Sequence, residues 1–149
     1  MSLQQDIMTA LKEAMKAKDT TALTALRAVK SAILLAQTET GAQTELTEEQ
    51  ELKMLQKLVK QRKDSAAIYI EQGREDLAAP ELAEAEVIAQ FLPEALSDAE
   101  IEKIVETVIA HTGAQGMKDM GKVMGIVSQQ LAGKADGKTI SNIVKAKLS

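Results

Sequence analysis

Leu92-Pro93-Glu94-Ala95-Leu96-Ser97-Asp98-Ala99-Glu100-Ile101 is the stretch that decides the fold. Proline lacks a backbone donor and pushes the residue before it out of the α region, so a helix arriving from upstream has to stop near Leu92. Ser97 and Glu100 then stand in the spacing of a capping box, each side chain serving a free backbone N–H of the other. Behind them Ile101, Ile104, Val105, Val108 and Ile109 repeat with helical period, and Thr112-Gly113 closes the segment. A helix ends, a non-helical joint intervenes and a new helix begins. That order predicts a boundary between two helical subdomains at Leu92-Pro93.

The same reading extends upstream. Leu3, Ile7, Leu11 and Met15 repeat at i+4, and Lys12, Lys16 and Lys18 crowd the end of that helix, where the dipole favours cations. Asp19 or Thr20 can cap a second helix with the stripe Leu23, Leu26, Val29, Ile33 and Leu34. Thr38 to Leu46, containing Gly41, is polar and aperiodic and reads as a loop. Thr47 and Gln50 form another capping box. It opens the longest helix, from about Glu48 to Gln72, whose buried face is Leu52, Leu55, Leu58, Val59, Ala66 and Tyr69. Gly73 fits the position after a helix end. After the turn Gly73-Arg74-Glu75-Asp76, Pro80 fits the first turn of a helix carrying Val87, Ile88 and Phe91.

Downstream, one short helix holds Met120, Val123, Met124, Val127 and Leu131 and ends at Gly133. Another is capped near Asp136 and holds Ile140, Ile143, Val144 and Leu148. Gly121 and Gly125 stand four apart, a spacing that predicts close helix–helix approach and destabilisation by large substitutions. The expected fold is all-α and multihelical. Residues 1–92 form a longer-helix N-terminal subdomain and residues 93–149 a compact three-helix one.

Composition agrees and narrows the chemistry. The 149 residues are 45% hydrophobic but 1% aromatic, with Tyr69 and Phe91 alone and no Trp. Strands draw on aromatic and β-branched residues, whereas Ala, Leu and Met favour helices. Aromatic scarcity also argues against stacking on bases. There is no cysteine and a single histidine, His111, so disulfides, thiolate nucleophiles, zinc–sulfur and multi-histidine sites are excluded. A carboxylate-only Mg²⁺ or Ca²⁺ site stays open, but no EF-hand pattern appears. The expectation is no metal and no cofactor. Met1 to Asp6 lacks the basic and apolar regions of a signal peptide, and no apolar run approaches the roughly 18 residues of a membrane span. The expected protein is soluble and cytoplasmic.

Charge is segregated beneath the net −4. Residues 1–72 carry ten basic and ten acidic groups; residues 73–110 carry two basic and ten acidic; residues 111–149 carry six basic and two acidic. Either an electrostatic partner at one end or packing of the two charged segments on each other accounts for this.

Candidate chemistry is sparse. Gly133-Lys134-Ala135-Asp136-Gly137-Lys138-Thr139 invites comparison with a phosphate-binding P-loop. That loop needs four residues between its glycines and a preceding strand, whereas here three intervene after a helix. A turn with Asp136 as helix cap explains the same residues. His111 stands at a helix end, where an imidazolium gains from the dipole, and no Cys or Ser/Asp constellation accompanies it. Glu84/Glu86 and Glu100/Glu102 stand two apart on helices and point in different directions, as solvated faces do. No catalytic set emerges. Two basic groupings remain. Lys53, Lys57 and Lys60 form one stripe with Arg62 and Lys63 alongside. In the tail, Lys118 and Lys122 share a face while Lys134, Lys138, Lys145 and Lys147 cluster near helix ends. Lysines suit phosphate backbones, and sequence-independent binding needs little more.

The run Met117-Lys118-Asp119-Met120-Gly121-Lys122-Val123-Met124-Gly125, with Gly133-Lys134-Ala135-Asp136-Gly137-Lys138-Thr139-Ile140-Ser141, resembles the YqeY family. So do Gln61-Arg62-Lys63-Asp64-Ser65, Gly73-Arg74-Glu75-Asp76-Leu77 and Phe91-Leu92-Pro93. Through the Gly-Lys-Ala-Asp-Gly-Lys turn and its flanking helices, the C-terminal part also resembles the tail domain of the B subunit of tRNA-dependent amidotransferase (GatB). That resemblance implies a two-part helical fold and a tail module that engages tRNA. The family's label of carbon–nitrogen ligase with glutamine as amido-N-donor belongs to chemistry housed elsewhere. This chain has neither the Gly-Gly-Ser-Ser stretch of an amidase nor any match to the acyl-activating cradle. Carried over by resemblance, the candidate nucleic-acid-binding residues are Lys118, Lys122, Lys134, Lys138 and Lys145.

The expected function is therefore a non-catalytic, tRNA-linked module that contacts phosphates. The alternative is a protein–protein adaptor without RNA binding, docking its acidic 73–110 segment or an exposed helical groove on a partner, the amidotransferase or another protein.

Overall fold

The computed structural model describes residues 2–39 and 45–149. It contains seven α-helices, one short 3-10 turn and, among the described residues, no strand. The helices are α1 (Leu3–Ala17), α2 (Thr20–Glu39), α3 (Glu48–Glu71), α4 (Glu75–Ala89), α5 (Asp98–Thr112), α6 (Met120–Gln130) and α7 (Gly137–Leu148). The 3-10 turn is Met117–Asp119. The chain divides into two compact units, Met1–Leu92 and Pro93–Ser149.

In the first unit, α1 packs on α2, α2 on α4, and α3 pairs with α4. Ser2 and Gln5 form a capping box at α1, and Thr47 and Gln50 form one at α3. Asp19 caps α2, its Oδ1 accepting from the Ala22 N–H at 3.1 Å. The core combines Ile7 and Leu11 of α1, Leu26, Val29 and Ile33 of α2, Leu55 and Val59 of α3, and Ile88 of α4. α3 closes as a Schellman motif: Gly73 sits at φ 73°, its N–H donating to Ile70 and that of Arg74 to Tyr69.

Several expectations change here. α2 runs through Thr38 and Glu39, so the loop starts later than its polarity predicts, and residues 40–44 lie outside the described residues. α4 begins at Glu75, which places Pro80 inside the helix rather than in its first turn. Arg74 offers no side-chain cap, but its carbonyl accepts from both Leu77 and Ala78 and its guanidinium holds Asp76. Met15 and Leu34 belong to the apolar stripes by spacing, yet both are exposed.

The second unit packs α5, α6 and α7 each against the other two. Ser97 and Glu100 form the capping box read from the sequence. Ile101, Val105 and Val108 meet Val123, Val127 and Leu131 of the α6 region and Ile140, Val144 and Leu148 of α7. Gly133 takes φ 80°, turning the chain after α6, and the Leu96 N–H ties the segment before α5 to the Lys134 carbonyl at 3.0 Å. Gly121 and Gly125 do not mediate close approach: a Cβ built at either would meet nothing within 4 Å. Their phase explains this, because Val123 and Val127 point inward and the glycines fall on the outer side of α6.

Candidate nucleic-acid interface

The five tail lysines are placed by short-range devices. Lys118 lies in the 3-10 turn, whose start is fixed where Asp119 Oδ2 accepts from the Gln115 N–H at 3.0 Å. Lys122 follows in the first turn of α6, exposed where Val123 and Val127 are buried. Lys134 occupies the turn after Gly133, with its N–H donating to Leu131 and its carbonyl accepting from Leu96. The backbone is pinned there while the side chain is exposed. Asp136 Oδ1 caps α7 by accepting from Thr139 N–H at 2.6 Å. Lys138, Asn142 and Lys145 then fall at i, i+4 and i+7, away from Ile140, Val144 and Leu148.

The structure thus puts Lys138 and Lys145 on one face of α7 and Lys134 in the turn leading to it. Lys118 precedes α6 in a 3-10 turn, so it does not follow the phase that would align it with Lys122. All five are exposed, and none has an acidic partner within ion-pair distance among the described residues. Lys147 differs. Its Nζ reaches Glu106 Oε1 on α5 at 2.7 Å, and the hydrogen bond raises its pKa.

Charge segregation looks different by unit. Residues 93–149 contain seven basic and seven acidic groups, because acidic α5 packs with lysine-bearing α6 and α7. The tail's excess of positive charge is local to α6, α7 and their turns.

The remaining groups resolve plainly. In the Gly133–Thr139 turn the Asp136 carboxylate already serves the Thr139 amide, the position where a phosphate cradle would present free N–H groups. His111 lies exposed in the last turn of α5, at the rim of a groove of about 370 Å³ floored by Ile104, Val108 and Ile126. On α3, Lys53 pairs with Glu49 and Lys60 with Asp64, so two of the three stripe lysines are already engaged. Arg62 is no part of a basic surface. Its Nε meets Glu84 Oε1 at 3.4 Å, Nη1 donates to the Leu58 carbonyl at 3.2 Å, and the paired side chains are 15% and 17% exposed. Glu84 is therefore an inward partner rather than a solvated acid, while Glu86 is exposed. No signal in either helix alone exposes this pair, which spans 22 positions. Among the described residues there is no cluster of His, Cys, Asp and Glu able to hold a metal, and no helix long and apolar enough to cross a membrane.

The family model of YqeY, described as Yqey-like protein, matches residues 4–148. This chain belongs to the YqeY family. Among curated relatives, it is 37% identical over 122 residues to "Altered inheritance of mitochondria protein 41, mitochondrial" of Clavispora lusitaniae, covering 81% of this chain and 69% of that protein. It is 36% identical over 73 residues to the E subunit of glutamyl-tRNA(Gln) amidotransferase of Thermococcus gammatolerans, covering 46% of this chain and 12% of that protein. For the same protein of Thermococcus sibiricus the identity is 39% over 57 residues, 36% of this chain and 9% of the relative. The YqeY-family chain thus corresponds to a small part of these archaeal relatives. Its likeness to an amidotransferase, expected through the B subunit, appears here in the E subunit.

Proposed function

We propose that this YqeY-family chain is a non-catalytic RNA-binding module that presents Lys118, Lys122, Lys134, Lys138 and Lys145 to the phosphates of tRNA. The observation that carries the reading is that, among the described residues, none of these five lysines is in an ion pair, where neighbouring Lys147 is tied to Glu106. Similarity to part of a tRNA amidotransferase supports tRNA as the polymer. Without aromatic platforms, contact runs through phosphate charge and shape, and the amidotransferase activity named for the larger relatives is chemistry this chain does not perform alone. The reading needs only a compartment that holds tRNA, such as the cytoplasm expected from the sequence or the mitochondrion named for the fungal relative.

Filter binding of tRNA across a salt series tests it. Affinity should fall steeply with salt, and reversing Lys134 and Lys138 to Glu should flatten the slope by about one to two phosphates' worth while weakening different tRNAs alike. No binding at about 50 mM salt, where such contacts are strongest, overturns the proposal. Amide transfer to misacylated tRNA by the purified chain would overturn its non-catalytic half.

A further inference from the structure

The first unit carries a surface of a different kind. α1 and α2 pack side by side, and Gln4, Gln5, Ile7, Met8 and Thr9 of α1 line one groove with Lys30, Ile33 and Leu34 near the far end of α2, so the two helices run antiparallel. Between them lies a groove of about 350 Å³. By helical phase Met8, Lys12 and Met15 (i, i+4, i+7) share one flank of α1, and Arg27, Lys30 and Leu34 (i, i+3, i+7) share one flank of α2; Met8, Lys30 and Leu34 line the groove itself. Met8, Met15 and Leu34 are 44%, 56% and 49% exposed, although apolar side chains of this size favour burial. Lys12, Arg27 and Lys30 have no acidic partner among the described residues.

The distribution of acids sharpens the picture. α2 has no acidic residue from Thr20 to Thr38. On α1, Asp6 and Glu13 project from the opposite flank by helical phase, and Glu13 pairs with Lys16. Glu45 and Glu51 line an adjoining pocket that shares Gln4 and Ile33 with the groove. The groove's lining therefore combines apolar and neutral polar side chains, and the charged side chain that lines it, Lys30, is a cation. Each row extends about 10 Å, two helical turns, which matches the i, i+3 or i+4, i+7 anchors of a helix laid in a groove. Methionines adapt to such an occupant because their unbranched side chains re-pack at low cost.

We infer that the α1–α2 groove docks an acidic amphipathic helix of a partner protein, whose apolar stripe covers Met8, Met15 and Leu34 while its carboxylates meet Lys12, Arg27 and Lys30. A phosphate backbone suits the groove poorly, since it would cover the apolar side chains without burying them in anything apolar. This surface is independent of the tail lysines and stands whether or not they bind RNA.

Fluorescence anisotropy on the full chain tests it with a labelled synthetic amphipathic helix of Leu and Ala bearing Glu on its flanks. Two controls go beside it: a scramble of the same composition, and a twin with Lys in place of Glu. The acidic helix should saturate and bind at least about tenfold tighter than either control. Arg27→Glu with Lys30→Glu should cost about tenfold for the acidic helix and admit the Lys twin. Met8→Ser with Leu34→Ser should weaken the acidic helix while leaving the thermal midpoint near that of the parent, because both residues are exposed. Equal binding of the scramble, indifference to charge reversal, or no saturation overturns the inference. Displacement of the peptide by tRNA also overturns it, by showing the groove to be a nucleic-acid surface.

Discussion

Of the nine large apolar side chains exposed among the described residues, eight belong to Met1–Leu92 and only Met117 to Pro93–Ser149. The second unit is short: its core draws on Ile, Val and Leu from all three helices, and what faces outward is largely charged or small and polar, the acids of α5 included. The first unit uses longer helices whose apolar residues spread over more than one face, so its core leaves Met8, Met15 and Leu34 uncovered. One unit offers charge with little exposed apolar surface and the other offers both together. The partners proposed for them, a polyanion and an amphipathic helix, differ accordingly.

The largest effect that tests this division is thermal. Ile88 and Ile101 are both fully buried but belong to separate core clusters. Truncating either to Ala should cost about 2–5 kcal/mol through lost burial and a cavity. In calorimetry, Ile88→Ala should lower the transition of the first unit and Ile101→Ala that of the second. A single transition moved equally by both would break the comparison.

Next in size is Glu84→Ala. Removing it strips a mostly buried guanidinium of its carboxylate, and a loss of about 1–3 kcal/mol is expected. Glu86→Ala, two positions on and exposed, should stay within about 0.5 kcal/mol in chemical denaturation. Equal costs would mean that the Arg62–Glu84 pair gives the first unit no more than a solvated acid does.

That pair also marks where sequence reading stops. Caps at Thr47, Ser97 and Asp136, the Gly73 closure and most helix phases were legible, because each rests on contacts within a few residues. Met15 and Leu34 share the spacing of buried neighbours, but whether a helix flank is covered depends on a second helix that periodicity does not place. Tail lysines could be nominated from spacing, yet only packing distinguishes Lys147, held by Glu106, from Lys145, which is not. The glycines misled for the same reason. A four-residue spacing fits close approach or an open outer face, and the phase of Val123 and Val127 selects the latter. Gly125→Ala should accordingly stabilise the second unit by about 1 kcal/mol, since alanine restricts the unfolded chain and meets no obstacle. A lowered midpoint would restore the close-approach reading.

The smallest effect separates the units by pH. In the first unit Arg74 grips Asp76 through two hydrogen bonds of 3.0 and 2.9 Å, and the Arg74 side-chain bond holds the Asp76 carboxyl below its ordinary value. A depressed carboxylate pKa contributes stability that is present above the unfolded value of about 3.9 and lost as pH falls through the folded one. In the second unit the hydrogen bond to Glu106 raises Lys147. A raised lysine pKa contributes stability that is full below the unfolded value of about 10.4 and disappears as pH rises through the folded one. Asp76→Asn should therefore melt below the parent at neutral pH, with the gap closing in acid, while Lys147→Met should show a gap that closes only in alkali. Both pairs are exposed, so the gaps are small and shrink with salt. Gaps that ignored pH would show that the two variants act through lost packing of their side chains rather than through charge.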